Sequence, residues 1–317
     1  MKLSQIRDVL AVAKAGSLRA AGRELGVAQP SITRSIRDIE RELCVSLFTR
    51  RASGVVLTEM GEIFVRRATA IENEVRRVRE ELAQAQGNDI GQVSVAMTAA
   101  SSISVMPAIL AAFGREHPHA VLKFSESLFR PIEKDIHSGE IDFYVGPLDE
   151  ESARTSLHVE KLFENERMVI ARRGHPLDQA TTLAELGGAR WIRPSSATRS
   201  DEGGFEQIFA SAGLPQPEIV MHSRSALMTL LAVVDSDLLT VLPSQWLEFG
   251  PTAGSLARIP LTQRFRAAPV CIVRRGDLPL TPLAERLCDI VRRAALNYDL
   301  KKMIGAAENP ISFTPEF

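Results

Sequence analysis

The sequence predicts an α/β protein with an all-α head, a long linker helix and a body of alternating strands and helices. Three observations lead to this prediction. Residues 3–43 contain three segments whose apolar residues recur with helical spacing, and residues 58–86 keep a heptad spacing without proline. Residues 91–296 alternate segments typical of strands with segments typical of helices, which favours sheets connected by crossover helices.

Two short helices are predicted at the start of the chain. In the segment from Leu3 to Lys14, apolar residues fall at i, i+3, i+4 and i+7, which makes one buried stripe. Gly16 is placed to end this helix, and Ser17 is a good N-cap for the next one. Gly26 occupies the position where glycine commonly ends a helix, so the second helix is expected between Ser17 and Gly26.

The third predicted helix has the composition of a DNA-recognition helix. Pro30 lies in its first turn, where the missing N–H costs nothing. One side of the helix is apolar and the opposite side is cationic, so it can dock by one face and meet base edges and phosphates with the other. Arg34 suits a bidentate contact with guanine, and Gln29 suits adenine. The residues of this helix predicted to contact DNA are Gln29, Pro30, Ser31, Thr33, Arg34 and, through phosphate, Arg37.

A basic wing is predicted after the third helix. Two short strands are expected within residues 47–58, around a turn that contains Gly54. Arg50 and Arg51 near its tip suit the minor groove or phosphate. Residues 1–61 hold ten Lys/Arg against six Asp/Glu in a chain of net charge −1, so positive charge is concentrated in the head. A generic three-helix bundle with a solvated basic face is the alternative, but spacing, turn residues and charge together favour a winged helix-turn-helix.

Residues 59–88 predict a linker helix that pairs two chains. Its apolar residues are spaced four and three apart in alternation, which makes a heptad seam. The seam residues are Phe64, Ala68, Ile71, Val75, Val78, Leu82 and Ala85. A surface helix packed on its own domain would show a wider apolar stripe, so pairing with a second chain is favoured. Such a homodimer would place two heads on a roughly palindromic site in double-stranded DNA.

The body predicts a mostly parallel sheet with crossover helices. Strands are expected near residues 93–97, 121–125, 142–145, 167–171, 190–192, 218–221, 238–242 and 269–274, with helices near 104–115, 131–138 and 282–295. Ligands of such folds lie beyond the carboxyl ends of the strands, often at helix N-termini.

Polar residues at these strand ends predict a binding site for a small anion. Arg199 and Arg224 suit a carboxylate or sulfonate, because a guanidinium pairs bidentately with either group. For the serines and threonines, capping and turn roles are an open alternative. The residues predicted to contact the effector are Thr98, Ala100, Ser101, Ser102, Phe129, Ser195, Ser196, Arg199, His222 and Arg224.

The motifs of common enzyme and metal sites are missing from the sequence. The three cysteines and six histidines show no metal-ligand spacing, and GxSxG and GxGxxG do not occur. We therefore expect neither an enzyme nor a bound cofactor. The sequence shows no apolar signal segment or membrane span, which predicts a cytoplasmic protein. A small-molecule-binding or enzymatic α/β protein with an incidental helical head is the alternative function.

The head resembles that of the LysR-type transcriptional regulators, a large bacterial family. The resemblance covers residues 9–61, and the family usually has Phe where this chain has Val9. The matching residues are Gly16, Ser17, Ala20, Ala21, Leu25, Gln29, Pro30, Ser31, Ile36, Ile39, Glu40, Leu43, Leu47, Phe48, Arg50, Leu57, Thr58 and Gly61.

The resemblance implies a ligand-responsive regulator with two Rossmann-like lobes similar to periplasmic solute-binding proteins. The implied layout is a head over 1–58, a linker helix over 59–88, a first lobe over 91–162 plus 267–296, a second lobe over 163–266 and a C-terminal tail over 297–317. The effector would lie between the lobes, and the implied partners are DNA, RNA polymerase and further copies of the chain in a dimer or tetramer. Three loops, at 191–196, 235–240 and 277–282, look similar to the subgroup that responds to aromatic acids and sulfonates.

Overall fold

A computed structural model describes most of the chain as two compact units. The described residues are 1–52, 54–88, 90–148, 156–194, 205–206, 208–263 and 265–308. The first unit comprises residues 1–88 and 134–141, and the second comprises 89–133 and 142–317. Each unit is described by itself below.

The first unit contains three short helices, a two-stranded wing and one long helix. They are α1 (Leu3–Ala15), α2 (Leu18–Leu25), α3 (Gln29–Leu43), β1 (Phe48–Arg51), β2 (Gly54–Leu57) and α4 (Glu59–Ala85). The predicted caps are confirmed: Gly16 and Gly26 end α1 and α2 with φ of 64° and 68°, and the Ser17 hydroxyl accepts a hydrogen bond from the Ala20 N–H. Val9, Ile32 and other apolar side chains of all three short helices form one core.

The start of α4 lies against the segment that leads from α3 into the wing. The Thr58 hydroxyl accepts the Gly61 N–H at 3.0 Å and donates to the Ser46 carbonyl at 2.6 Å. A Cβ atom at Gly61 would stand 2.1 Å from the Leu47 carbonyl oxygen. Only glycine therefore permits this close approach of α4 to the backbone of Leu47.

The long helix α4 has two unlike faces. The predicted seam is exposed in the single chain at Ile71, Val78 and Leu82. On another face, Arg77 is buried, with its guanidinium donating to the Gly139 carbonyl oxygen at 3.1 Å. Gly139 has a φ of +71°, which favours glycine, and a Cβ there would make a tight contact of 3.1 Å with that guanidinium.

The second unit contains two sheets with helices packed on them. Its strands are β3 (Gly91–Met97), β4 (Ala120–Glu126), β5 (Phe143–Pro147), β6 (Leu157–Phe163), β7 (Glu166–Arg172), β8 (Arg190–Pro194), β9 (Glu218–Ser223), β10 (Thr240–Pro243), β11 (Leu256–Arg258), β12 (Phe265–Arg266) and β13 (Val270–Arg275). Its helices include α5 (Ala99–Glu116), α7 (Ala226–Val234) and α8 (Pro282–Glu308), while α6 (Phe129–His137) is shared between the units.

Both sheets are mixed, so the prediction of a mostly parallel sheet is wrong. The first sheet has the order β4-β3-β5-β13-β6, with β13 antiparallel to both neighbours. In the second, β10, β11 and β12 pair antiparallel with β7, while β8 and β9 pair in parallel and a bridge joins Trp191 to Leu239. Parallel pairing requires a crossover that returns the chain to the same end. The chain enters β7 and β13 directly from the other sheet, without a crossover helix.

The C-terminal helix corrects the predicted boundary of the tail. The prediction ended this helix at residue 295 and made 297–317 a loose tail, but α8 continues to Glu308. The stretch after residue 295 has no proline before Pro310 and is rich in residues that favour helices. Tyr298 also anchors it, since this ring is buried against Phe163 with centroids 5.0 Å apart.

Buried apolar clusters hold each sheet to its helices. In the first sheet, Val95 and Ile272 pack against Leu287 and Val291 of α8. In the second, Trp191 meets the rings of Phe205 and Phe209 edge-on. Among the helices described, none is long and apolar enough to cross a membrane.

Candidate nucleic-acid interface and ligand cavity

The outer face of α3 forms a polar, largely cationic groove. Its lining residues are Gln29, Pro30, Thr33, Arg34, Arg37, Asp38 and Arg41. The Arg34 and Arg41 side chains are 86% and 80% exposed, and their nearest atoms lie 3.9 and 3.7 Å from the Asp38 carboxylate. Exposed ion pairs at such distances contribute little, so both guanidinium groups are available to a polyanion.

The structure brings five of the six residues predicted on α3 together in this groove. Ser31 is exposed but does not line it. The Thr33 hydroxyl donates to the Gln29 carbonyl oxygen at 3.0 Å, so it is held by its own helix. Arg41 also lines the groove, because residues four apart, such as Arg37 and Arg41, lie on one helix face.

Three hydrogen bonds join the wing and the residue before it to the helices. The Glu40 carboxylate of α3 accepts hydrogen bonds from the N–H groups of Leu47, at 2.7 Å, and Phe48, at 3.3 Å. On the other strand, the Val55 N–H donates to the Gly16 carbonyl oxygen at 2.9 Å. Arg50 is exposed in β1, opposite Val55. These contacts fix the backbone of the wing, which carries Arg50 and Arg51, relative to α3.

The second unit contains a cavity of about 610 Å³ lined by residues of both sheets and their helices. This volume lies within the range of small-molecule sites. Apolar rings, including those of Phe205, Trp246 and Phe265, form part of the wall. The polar lining includes three arginines, Arg167, Arg193 and Arg224, and one carboxylate, Glu126.

Four of the predicted effector residues line this cavity. Thr98, Ala100 and Ser101 lie at the N-terminal end of α5, and Arg224 lies between β9 and α7. The Thr98 hydroxyl accepts the Ser101 N–H at 3.2 Å and lies 2.8 Å from the Ser101 hydroxyl oxygen. Thr98 therefore caps α5 and also faces the cavity. Helix capping and contact with the effector, the two roles that the sequence left open for this residue, are compatible.

Three other predicted residues lie away from the cavity wall. The Ser102 hydroxyl donates to the Thr98 carbonyl oxygen, and Phe129 is buried against Tyr144 with ring centroids 5.7 Å apart. His222 is exposed, whereas Ser223 is buried and lines the cavity, because successive strand residues point to opposite faces. The predicted Ser195, Ser196 and Arg199 lie outside the described residues.

The sequence reasoning missed several polar residues of the wall. Arg193 ends β8, so the rule that placed ligands at strand ends could have found it; it pairs with Glu206 at 2.7 Å. Arg167 lies near the start of β7, where that rule gave no reason to look. Within the described part of the chain, Arg167 and Arg224 form no ion pair.

Asn165 and Gln245 were also missed. They are only 8% and 1% exposed, and both line the cavity. The side-chain carbonyl oxygen of each is buried without a hydrogen-bond partner among the described residues. In the same part of the chain, no group of three His, Cys, Asp or Glu side chains is arranged to hold a metal ion.

Two family models match the chain. Residues 3–62 match "Bacterial regulatory helix-turn-helix protein, lysR family", and residues 86–296 match "LysR substrate binding domain". The transcriptional regulator GbpR of Azospirillum brasilense is 27% identical over 301 residues, which cover 93% of this chain and 87% of GbpR. TdcA of Escherichia coli K12 is 28% identical over 235 residues, 73% of this chain and 74% of TdcA.

Solved structures share this fold at low sequence identity. The crystal structure of CbnR, a LysR family transcriptional regulator, matches with a TM-score of 0.67 at 22% identity, covering 93% of this chain and 99% of CbnR. CbnR bound to its target DNA matches with the same TM-score.

Proposed function

Since the chain belongs to the LysR family of DNA-binding transcription regulators, we propose that its effector is a small organic anion, an aromatic carboxylate or sulfonate, bound in the cavity of the second unit. One observation carries this proposal: Arg167 and Arg224 face the cavity without a carboxylate partner among the described residues. Two guanidinium groups on one cavity wall favour an anion, because each can form paired, charge-assisted hydrogen bonds with it; Arg167 is half-buried and Arg224 is exposed.

The rest of the wall supports the same class of ligand. Thr98 and Ser101 bring hydroxyl groups to the N-terminus of α5, where the helix dipole favours negative charge. The Phe205, Trp246 and Phe265 rings suit the flat, apolar part of an aromatic acid. Glu126 opposes an anion, but it is exposed and its charge is therefore screened by solvent.

For DNA reading, we propose that α3 enters the major groove and that Arg50 and Arg51 contact the minor groove or phosphate. Arg34 and Gln29 are assigned to base edges and Arg37 to phosphate, because exposed guanidinium and amide groups form the groove on α3. We expect Arg34→Ala to weaken specific binding by about 1–3 kcal/mol. A gel shift against specific and random DNA, at stated salt, measures this loss.

We propose that the exposed seam of α4 pairs two chains, which places two heads on a pseudo-palindromic site; a tetramer would join two such pairs. Val78 and Leu82 are 54% and 60% exposed in the single chain. The double change Val78→Asp and Leu82→Asp should lower the oligomeric state in light scattering, whereas Arg79→Asp, beside the seam, should not. An unchanged mass for the double variant would contradict this pairing.

The anion proposal is tested by thermal shift and gel shift with benzoate, 4-hydroxybenzoate and benzenesulfonate. We expect at least one of them to raise the melting temperature and to alter the DNA footprint. Arg167→Gln and Arg224→Gln should remove this effect. Arg286→Gln, which changes a surface arginine paired with Glu116, is the matched control. A wider screen in which only uncharged compounds stabilise the protein would overturn the proposal.

A further inference from the structure

Asn165 and Gln245 flank the paired ends of two adjacent strands, β7 and β10. In the antiparallel pairing of β7 with β10, the last residue pair is Arg167 with Pro243. Asn165 stands two residues before Arg167, and Gln245 stands two residues after Pro243. Asn165 directly precedes β7, and Gln245 lies in the 3-10 helix Ser244–Glu248 that directly follows β10. Because the start of β7 pairs with the end of β10, both amides lie at this end of the strand pair and line the same cavity as Arg167, the guanidinium proposed to bind the anion.

Both amides are built into the wall with hydrogen-bonding capacity unused. The two residues are more than nine-tenths buried and line the cavity, yet neither side-chain carbonyl oxygen has a partner in the part of the chain described here. A buried amide without a partner is costly, and most buried polar groups in proteins are satisfied. A ligand that completes these hydrogen bonds would remove that cost.

A plain carboxylate or sulfonate cannot complete them. Ionised acid oxygens only accept hydrogen bonds, whereas an amide carbonyl needs a donor. A hydroxyl group donates one hydrogen bond and accepts others, so a single hydroxyl can serve the carbonyl of one amide and the NH2 of the other. A primary amine on the ligand would also supply the donor.

We propose that the effector is a hydroxy- or amino-substituted acid, held through its anionic group by Arg167 and through its neutral donor by Asn165 and Gln245. This inference rests on the proposed function, since it assigns the second polar end of the same ligand. Asn165 and Gln245 then determine specificity: they reject acids of the same shape that lack a donor.

The test uses the full-length protein and pairs of acids that differ in one group. Calorimetry compares 4-hydroxybenzoate and 4-aminobenzoate with benzoate and with 4-methoxybenzoate, which accepts but does not donate; lactate and propionate form an aliphatic pair. We expect the donor-bearing acid to bind roughly ten- to hundredfold tighter than its partner, as expected for one buried polar group left unpaired. 4-Methoxybenzoate should bind as weakly as benzoate, because it has no hydrogen-bond donor.

Two variants separate a ligand-binding role of the amides from a structural one. Asn165→Leu and Gln245→Met keep similar shapes and remove the unsatisfied groups, so the melting temperature of the ligand-free protein should stay the same or rise. The preference for the hydroxy acid over its partner should disappear in both variants. Gln179→Leu, at an exposed glutamine, should change neither quantity.

The outcomes distinguish the two proposals. If hydroxylated and plain acids bind equally, and both lose affinity in Arg167→Gln, the anion site stands and the assignment of the amides is overturned. If the variants melt lower without a change in preference, the amides are structural and the assignment is again overturned. If no acid binds at millimolar concentration, the proposed anionic effector fails and this inference fails with it.

Discussion

The carboxylate of Glu40, in the last part of the recognition helix, accepts a hydrogen bond from the backbone N–H of Leu47 at 2.7 Å. The same oxygen accepts the next N–H, that of Phe48, as the chain enters the wing. One side chain thus holds the two proposed DNA-contacting elements in a fixed relation. It also satisfies two backbone N–H groups where the chain leaves α3 and enters the wing.

Glu40→Ala should therefore lower the free energy of unfolding by about 1–3 kcal/mol, because charge-assisted hydrogen bonds to backbone N–H groups are lost. It should weaken DNA binding beyond what the stability loss explains, since the wing is released. Chemical denaturation and a DNA titration measure the two effects. Glu42→Ala removes an exposed carboxylate whose one ion pair among the described residues is with the amino group of Met1, and it should change both values little. Equal effects of the two changes would contradict this role of Glu40.

Replacing each of two helical glycines by alanine should change the stability of the protein in opposite directions. At Gly61 a Cβ would lie 2.1 Å from the Leu47 carbonyl oxygen, so Gly61→Ala must displace backbone and should cost several kcal/mol, roughly the scale of other steric core lesions. At Gly114, inside α5, a Cβ meets nothing within 4 Å. Gly114→Ala should stabilise the protein by about 0.5–1 kcal/mol, because alanine has the higher helix propensity. Urea unfolding of both variants checks the pair, and a tolerated Gly61→Ala would refute the close approach.

Arg77 should contribute more to stability than its exposed neighbour Arg79. Arg77→Ala leaves the Gly139 carbonyl without its donor and removes an ion pair with Glu74, at 3.2 Å. We expect a loss of roughly 2 kcal/mol, whereas Arg79→Ala should change the free energy of unfolding by less than about 0.5 kcal/mol. Gly139→Ala should destabilise for a related reason, because its φ is positive and the added methyl would press on the guanidinium. Similar values for the two arginine variants would contradict this contact.

The three cysteines should differ in reactivity toward a thiol reagent at neutral pH. Cys44 is exposed, while Cys271 and Cys288 are buried. Burial raises the pKa of the Cys288 thiol, with a further contribution from the Glu285 carboxylate, so its reactive thiolate is scarce in the folded protein. One thiol should react quickly and two only after denaturation. Loss of the rapid phase in Cys44→Ser would identify Cys44 as the thiol that reacts quickly. Rapid labelling of Cys288 would contradict its burial.

Local signals explain what the sequence could predict. Gly16, Ser17 and Gly26 act within one helical turn, so their identities alone placed the ends of α1 and α2. The cationic face of α3 followed in the same way from residues three and four apart. The family models then agreed with the resemblance of the head.

The features that the sequence could not predict depend on long-range strand pairing. Arg167, Asn165 and Gln245 meet at the cavity only through the register of β7 with β10, and no local pattern encodes that register. The prediction named His222 and not Ser223, because no local pattern shows where β9 begins or which face each of its side chains takes. The antiparallel course of β13 likewise depends on where the chain returns from the second sheet.

The position of β13 in its sheet also has a consequence for biosynthesis. β13 separates β5 from β6, yet the ribosome makes every strand of the second sheet, residues 166–266, before it. During that interval the facing edges of β5 and β6 have no strand between them, and open edges of this kind pair readily with other chains. A chain that stops before Val270 would carry a complete second sheet beside an unfinished first one. Such truncated products should aggregate or be degraded rather than persist as partial regulators.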